Sequence, residues 1–244
     1  MDPIDGTKAF MVGGLFAINV ALLDAKARQA LCVAGCPKLD PRVVGTGEFV
    51  SNTDTGAGAV LFAVRGYGTY IQEFVPGAEN GAMLPARKFE QLSVAEPFNP
   101  SDLRWADSPS IPNLGVLSAA QRRTAEILGV QDATGQVGYR SCDIHASVMR
   151  WAFLALGNIN SRVHIWNQRG KHGCLWDYAG AMLLFEEVGG KITDLEGMPI
   201  DLSTGRMLDA HGSIICGPAK VHSEILRAAR KAVVEIGRGD LLDM

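Results

Sequence analysis

Apolar and polar positions along the first hundred residues fall in short runs. Phe16–Leu23 is apolar with β-branched members, Asp24–Arg28 is polar, and Gln29–Gly35 is apolar again before Cys36-Pro37. Two such runs split by a turn predict a β-hairpin. Ala59–Val64 and Gly68–Phe74, on either side of Arg65-Gly66-Tyr67, predict a second, and Lys88–Val94 a further strand. Asn99–Leu117 is rich in Pro, Ser and Asp and reads as a long surface loop. Beyond it the pattern changes to alternating strand and helix signals. Ser118 stands as an N-cap and Gly129 as the residue after the C-cap of a helix over Ala119–Leu128. Gly138–Ile144, Val163–Trp166 and Ser213–Cys216 predict strands. Ala146–Leu156, Tyr178–Val188 (capped by Asp177) and Ala219–Ile236 predict helices, and Gly237–Met244 a loose tail. Hairpins followed by alternating elements imply an α/β or α+β chain with layered sheets. The expected division is 1–110 and 111–244.

Composition narrows the class. Of 244 residues 47% are hydrophobic and 20% charged, enough for a packed core and against disorder. The 23 basic and 26 acidic residues give a formal net charge of -3. No basic tract stands out, which argues against a nucleic-acid polymer as partner. No apolar run is long enough to span a membrane, and acids stand where a signal peptide has bases. The five cysteines, Cys32, Cys36, Cys142, Cys174 and Cys216, have no zinc-site spacing. Their odd number points to reduced thiols in a cytoplasmic protein, with Cys32 and Cys36 in the core.

Two segments carry candidate chemistry. In Asp2-Pro3-Ile4-Asp5-Gly6-Thr7 two carboxylates three residues apart share one site if the chain turns between them, and Pro3 stiffens that turn. Oxygen ligands of this kind suit Mg²⁺, and the Ile4 carbonyl could add another. Gly6 lets the backbone approach an anion, and Thr7 offers a hydroxyl to a phosphate or to a metal-bound water. By itself the segment also reads as an acidic turn with Thr7 as a helix cap. In Trp176-Asp177-Tyr178-Ala179-Gly180-Ala181 a carboxylate stands at a helix start. Alone, Asp177 reads as a cap; rigidly held, it also serves as a metal ligand. Ala179, Gly180 and Ala181 allow close backbone packing.

Taken together, D-P-I-D-G-T, then W-D-x-A-G, then Glu187-Val188-Gly189-Gly190 resemble the inositol monophosphatase superfamily over most of the chain. The resemblance implies a layered α/β/α/β/α sandwich and a Mg²⁺-dependent phosphomonoesterase acting on a small phosphorylated substrate. It implies that Asp2, Asp5, Asp177 and the Ile4 carbonyl hold Mg²⁺, in a site of two or more ions. By the same resemblance Gly6 and Thr7 contact the phosphate, and Thr7, with Asp2, acts on the attacking water. Lys8, Phe10, Gly35-Cys36-Pro37, Pro199-Ile200-Asp201-Leu202 and Gly205-Arg206-Met207-Leu208 are similar to the 3′(2′),5′-bisphosphate nucleotidase branch. Ser147-Val148-Met149-Arg150 matches a Ser-x-x-Lys that contacts the nucleotide there, with Arg for Lys. Arg150 alone also reads as a solvated helix residue.

The chain departs from that branch at several points. Ser108–Leu117 holds no histidine, His164 replaces a strand arginine, and a lysine is replaced near Cys174-Leu175. Gly170 stands where inositol monophosphatases proper carry an acid. The resemblance also implies a preceding region of helices with a Glu-Glu metal motif and a water-orienting aspartate, here N-terminally truncated. Glu186-Glu187, on the helix after Asp177, is read as a packing pair and not a substitute. Without the helices, apolar sheet surface would be uncovered, calling for a homodimer or a covering partner. The alternative to an active phosphatase is a paralogue that binds a phosphate ligand or a partner protein without turnover. Another alternative is a phosphatase for a different small phosphorylated metabolite, such as an inositol phosphate or a specialised-pathway intermediate.

Overall fold

A computed structural model describes residues 1–40, 58–76, 83–85, 89–93, 102–104, 106–107, 118–131, 140–141, 144–166 and 173–243. The strands are β1 (Asp2–Asp5), β2 (Ala17–Leu23), β3 (Gln29–Cys36), β4 (Gly58–Val64), β5 (Gly68–Pro76) and β6 (Met83–Pro85). They continue as β7 (Glu90–Gln91), β8 (Ala106–Asp107), β9 (Arg140–Ser141), β10 (Arg162–Ile165), β11 (Gly190–Thr193) and β12 (Ser213–Pro218). The helices are α1 (Thr7–Met11), α2 (Ser118–Leu128), α3 (Ser147–Ala155), α4 (Leu175–Tyr178), α5 (Ala181–Glu186) and α6 (His222–Glu235). Among the described residues no helix is long and apolar enough to cross a membrane.

The chain forms two compact units that interleave in sequence. The first comprises Met1–Val94, Ile144–Asn158 and Trp176–Val188; the second comprises Ala95–Asp143, Ile159–Leu175 and Gly189–Met244. Most of the expected boundary loop, Asn99–Leu117, lies outside the described residues, as does Cys142.

In the first unit an antiparallel sheet runs in the order β1-β2-β3-β4-β5-β6, with β7 also on β5. Both expected hairpins are present, in register from Ile18↔Gly35 to Leu22↔Leu31 and from Gly58↔Phe74 to Val64↔Gly68. Strand residues alternate between faces, so one side carries Ala17, Asn19, Cys32, Ala34, Cys36, Ala59, Leu61 and Ala63, all buried. Helices α3 and α5 pack on one another and on this sheet. Every side chain of α3 except Arg150 is buried, including Trp151, Phe153 and Leu154, as its mostly apolar sequence requires. The other side of the sheet carries Ile18, Val20 and Leu22, all exposed, and a ring cluster of Phe62, Tyr70 and Phe89 with centroids 5.3–6.4 Å apart.

The second unit has a three-stranded antiparallel sheet, β10-β12-β11, and a two-residue parallel pair of β8 with β9. Its core joins Val163, Ile165 and Ile215 to Ala120 and Ala125 of α2 and to Ile225, Ala229 and Val233 of α6. The 3.6-residue period of α6 places these inward and Arg227, Arg230 and Lys231 outward. The expected loose tail is ordered: Gly239–Asp243 makes a 3₁₀ turn that buries Leu241 in this core.

Three further expectations change. The strand over Lys88–Val94 reduces, among its described residues, to Glu90–Gln91. The Gly138–Ile144 strand reduces likewise to Arg140–Ser141. The single helix over Tyr178–Val188 is two helices with a turn at Ala179-Gly180. The Ala179 carbonyl accepts the Gln29 side-chain amide at 2.7 Å, and Leu183 N–H turns instead to the Gly180 carbonyl at 2.9 Å.

Candidate metal and phosphate site

The site is built in the first unit, beginning with an irregularity in β1. In a regular strand residues three apart point to opposite faces. Here Asp2 pairs with Asn19 and Asp5 with Ala17, three steps on β1 against two on β2. That one-residue bulge restores a common side for the two carboxylates. A bulged strand therefore does what was expected of a turn. Pro3 is tolerated because β1 is the edge strand, where no neighbour needs its missing N–H.

Asp5 is 5% exposed. Its two carboxylate oxygens accept the N–H groups of Ser147 (3.1 Å) and Val148 (2.7 Å), the first residues of α3. Ala146, at the cap position, has no side chain able to do this, so a residue 142 positions away supplies the cap. Burial pushes the Asp5 carboxyl up to about 6 against the pull of these two N–H groups. Repulsion from Asp2 adds to the rise, and attraction to Arg150 opposes it.

Gly6 follows with φ 79°, in the left-handed region that glycine adopts without strain. A Cβ there would lie 2.6 Å from that of Ala146, so both conformation and space demand glycine. Thr7 opens α1, and its hydroxyl donates to the Ile4 carbonyl at 3.1 Å. One lone pair of that expected ligand is thereby occupied. Asp2 accepts the N–H of Ile4 at 3.2 Å.

Asp177 reaches the same place from α4. It is the third residue of that four-residue helix, not the cap of the next one; the cap position of α5 is Gly180. One oxygen each of Asp2, Asp5 and Asp177 lie within 4.8 Å of one another. Convergence of three carboxylates, one of them almost fully buried, is costly unless a cation balances it. An all-oxygen donor set at this spacing fits a hard ion such as Mg²⁺. Beside it, the Ser147 Oγ is buried and has no hydrogen-bond partner in the protein, as expected next to ordered solvent or a ligand group. Arg150 lies one turn further along α3, its Nε held by the Ile144 carbonyl at 2.9 Å.

The structure thus gathers Asp2, Asp5 and Asp177, with Gly6 and Thr7 adjoining on the chain and Ser147 bonded to Asp5. Glu186 and Glu187 have other partners. Glu186 pairs with Arg65 at 2.8 Å, and Glu187 accepts the N–H groups of Gly66 (3.0 Å) and Gly68 (2.9 Å). In place of the expected packing role, these contacts tie both acids to the β4–β5 turn and its flank. Gly170 and Ser108–Leu117 lie outside the described residues. His164 is buried on β10 beside Arg162, whose guanidinium lies 3.2 Å from its Nδ1. Sequence reasoning missed Asn19 and Gln29, which bond to the Trp176 and Ala179 carbonyls beside Asp177. The signal was present: both are polar residues at inward positions of otherwise apolar strands.

A profile described as the Inositol monophosphatase family matches residues 1–235. The chain belongs to that family. A 3′(2′),5′-bisphosphate nucleotidase of Oryza sativa is 30% identical over 236 residues, covering 96% of this chain and 59% of that protein. The enzyme of the same name from Emericella nidulans is 25% identical over 241 residues, covering 96% and 62%. The chain therefore spans about three fifths of the length of these curated relatives. Among solved structures, Thermotoga maritima IMPase superposes with a TM-score of 0.62 at 19% identity, covering 97% of this chain and 69% of that one. The inositol monophosphatase fold, an α/β sandwich, is thus the fold of this chain.

Proposed function

We propose that this inositol monophosphatase-family chain is a Mg²⁺-dependent phosphomonoesterase that converts adenosine 3′,5′-bisphosphate to AMP and phosphate in the cytoplasm. The observation that carries the reading is the convergence of Asp2, Asp5 and Asp177 on one point from two distant segments. The substrate class is supported by relatives named 3′(2′),5′-bisphosphate nucleotidase at 25–30% identity. Buried, unpaired Cys32, Cys36 and Cys216 support the cytoplasmic setting.

Asp2, Asp5 and Asp177 would hold the ion, with the Ile4 carbonyl as a further oxygen ligand. Bound there, Mg²⁺ supplies positive charge to phosphoryl oxygens and acidifies a coordinated water. The protein's own part is positioning. The α3 N–H groups hold both Asp5 oxygens, so that carboxylate is fixed before any ligand arrives. Thr7 donates its hydroxyl hydrogen bond to the Ile4 carbonyl, which leaves its oxygen as an acceptor that can orient an attacking water. Gly6, lacking a Cβ, lets the chain before α1 pack against Ala146, which keeps Asp5 on the N–H groups that open α3. The Ser147 hydroxyl and the Arg150 guanidinium, on the next element, supply donors for a second phosphate or the ribose. No covalent nucleophile is needed.

The test is phosphate release from adenosine 3′,5′-bisphosphate across a Mg²⁺ titration, with inositol 1-phosphate and AMP as competing candidates and Asp5→Ala as control. Release from the bisphosphate that EDTA and Asp5→Ala both abolish is the expected result. Absence of release from folded protein at every Mg²⁺ concentration would sink the reading and favour a paralogue that binds without turnover. Release from inositol 1-phosphate alone would move the substrate and keep the chemistry.

A further inference from the structure

Asn19 is 1% exposed at the centre of β2. A buried primary amide needs partners for its donors and its acceptor. Its Nδ2 donates to the carbonyl of Trp176 at 2.8 Å, on the peptide unit that leads directly into Asp177. Its Oδ1 accepts the Cys32 thiol at 3.7 Å. Its backbone is the register partner of Asp2. Asn19 is thus paired through its main chain with one carboxylate of the cluster and through its side chain with the neighbour of another. The close approach is itself prepared: a Cβ on Gly180 would lie 2.8 Å from Asn19 Oδ1, 3.0 Å from Ala21 Cβ and 3.2 Å from Cys32 Sγ.

We infer that Asn19 is a positioning residue that fixes the spacing between Asp177 and the Asp2–Asp5 strand, and so sets the affinity of the site for its divalent cation. The inference rests on the metal-binding reading above and adds to it a residue that touches neither metal nor substrate. The physical reason is the reach of the two anchors. Asp2 and Asp5 are set by β1, whereas α4 is only four residues long and cannot hold Asp177 by its own helical hydrogen bonds. A short helix must be pinned from outside, and the Asn19–Trp176 bond does so one residue from the ligand. Residues that orient metal ligands commonly change affinity about 10- to 100-fold when replaced.

A control is available in the same unit. Thr69 Oγ1 donates to the carbonyl of Leu184 at 2.8 Å, a buried hydrogen bond from the same sheet to the same returning segment, but on α5 and away from Trp176. Asn19→Leu and Thr69→Val each delete one such bond while keeping the number and branching of the side-chain heavy atoms. The experiment is Mn²⁺ binding to the full chain, read from the electron paramagnetic resonance signal of free Mn²⁺, alongside thermal melts in EDTA. The expected result is a comparable loss of melting temperature in both variants, with Mn²⁺ affinity lowered about tenfold in Asn19→Leu and unchanged in Thr69→Val. Asn19→Ser, whose side chain is one bond too short to reach Trp176 but far less disruptive, is measured in parallel and shows the same loss of affinity if Asn19→Leu does not fold. Affinity within twofold of wild type in the folded Asn19 variants, or an equal loss in Thr69→Val, overturns the inference alone. Absence of Mn²⁺ binding by the wild-type chain overturns the metal reading and the inference with it.

Discussion

Each unit of the chain buries a carboxylate beside other ionisable groups, and the two places behave differently. In the second unit Asp194 accepts the N–H of Met198 on one oxygen (2.7 Å) and meets His211 Nδ1 with the other (2.9 Å). His211 Nε2 in turn accepts the N–H of Asp201 at 2.6 Å. Each of these buried acceptors has a donor from the same stretch, so the arrangement ties residues 194–211 together and closes the acid against an imidazole. In the first unit Asp5 has its two N–H donors from α3, yet Asp2 and Asp177 crowd in beside it; burial first, and then repulsion from Asp2, pushes its carboxyl up to about 6. Burial of an acid is therefore not what marks a functional site. The mark is carboxylates converging on one point, where the structural cross-link sets its acid against an imidazole.

The strongest way to break this comparison is to remove charge from the open cluster. Asp177→Asn keeps the shape of the side chain and removes one negative charge. Mn²⁺ binding and Mg²⁺-dependent phosphate release should both fall by about 10²-fold or more, because the charge stabilisation supplied by the ion is worth several kcal/mol. The fold should persist, since electrostatic repulsion within the cluster is relieved. A variant that keeps wild-type Mn²⁺ affinity would show that Asp177 is a surface acid that happens to stand close.

The converse change belongs to the closed cluster. His211→Leu leaves Asp194 Oδ2 buried without its partner and frees the Asp201 N–H. A loss of about 3–5 kcal/mol in urea unfolding is expected, with Mn²⁺ affinity unaltered. Loss of metal binding in a variant that still folds would make the two clusters alike and remove the contrast.

How far these differences could be read in advance depends on whether the partners are local. D-P-I-D-G-T is contiguous, so its ligands and its glycine were legible as a unit. The cap that Asp5 places on α3 was not, because its donors lie 142 and 143 residues on. The apolar, β-branched run of β2 identified a strand but not its inward face: the large residues Ile18, Val20 and Leu22 point out, and Ala17, Asn19 and Ala21 point toward the helices. Small residues are needed there so that Gly180 can approach, a requirement set by a segment 160 positions away. The break between α4 and α5 escaped notice for the same reason, since the Ala179 carbonyl is claimed by distant Gln29. Local periodicity shows which elements form; the faces they bury are decided by what returns from elsewhere in the chain.

The adjacent acids Glu186 and Glu187 sharpen the comparison at smaller cost to the protein. Glu187 grips the N–H groups of Gly66 and Gly68 with both carboxylate oxygens and so closes the β4–β5 turn. Glu187→Ala should lower stability by about 1–3 kcal/mol and leave metal affinity untouched. A drop in Mn²⁺ affinity would mean that the pair Glu186-Glu187 stands in as a ligand set after all.

The smallest effect tests whether an unmatched group in the second unit shows the same sign logic. His222 is buried like His211, but its contacts are the Thr193 hydroxyl and the Ile215 carbonyl, not a carboxylate. Burial lowers its pKa below the usual 6.5; the Ile215 carbonyl opposes the shift and Lys191 adds to it. Below pH 6.5 the unfolded chain takes up a proton that the folded chain resists, so this contribution to stability is full above that pH and is lost as pH falls through the depressed folded value. His222→Gln removes the titration while keeping a polar side chain. The difference in melting temperature between pH 8 and pH 5 should therefore be smaller in the variant than in the wild type, with both measured in EDTA so that the first unit's cluster contributes equally to each. An unchanged difference would mean that His222 is matched by its surroundings as well as His211 is, and that the contrast between open and closed groups applies to the acids alone.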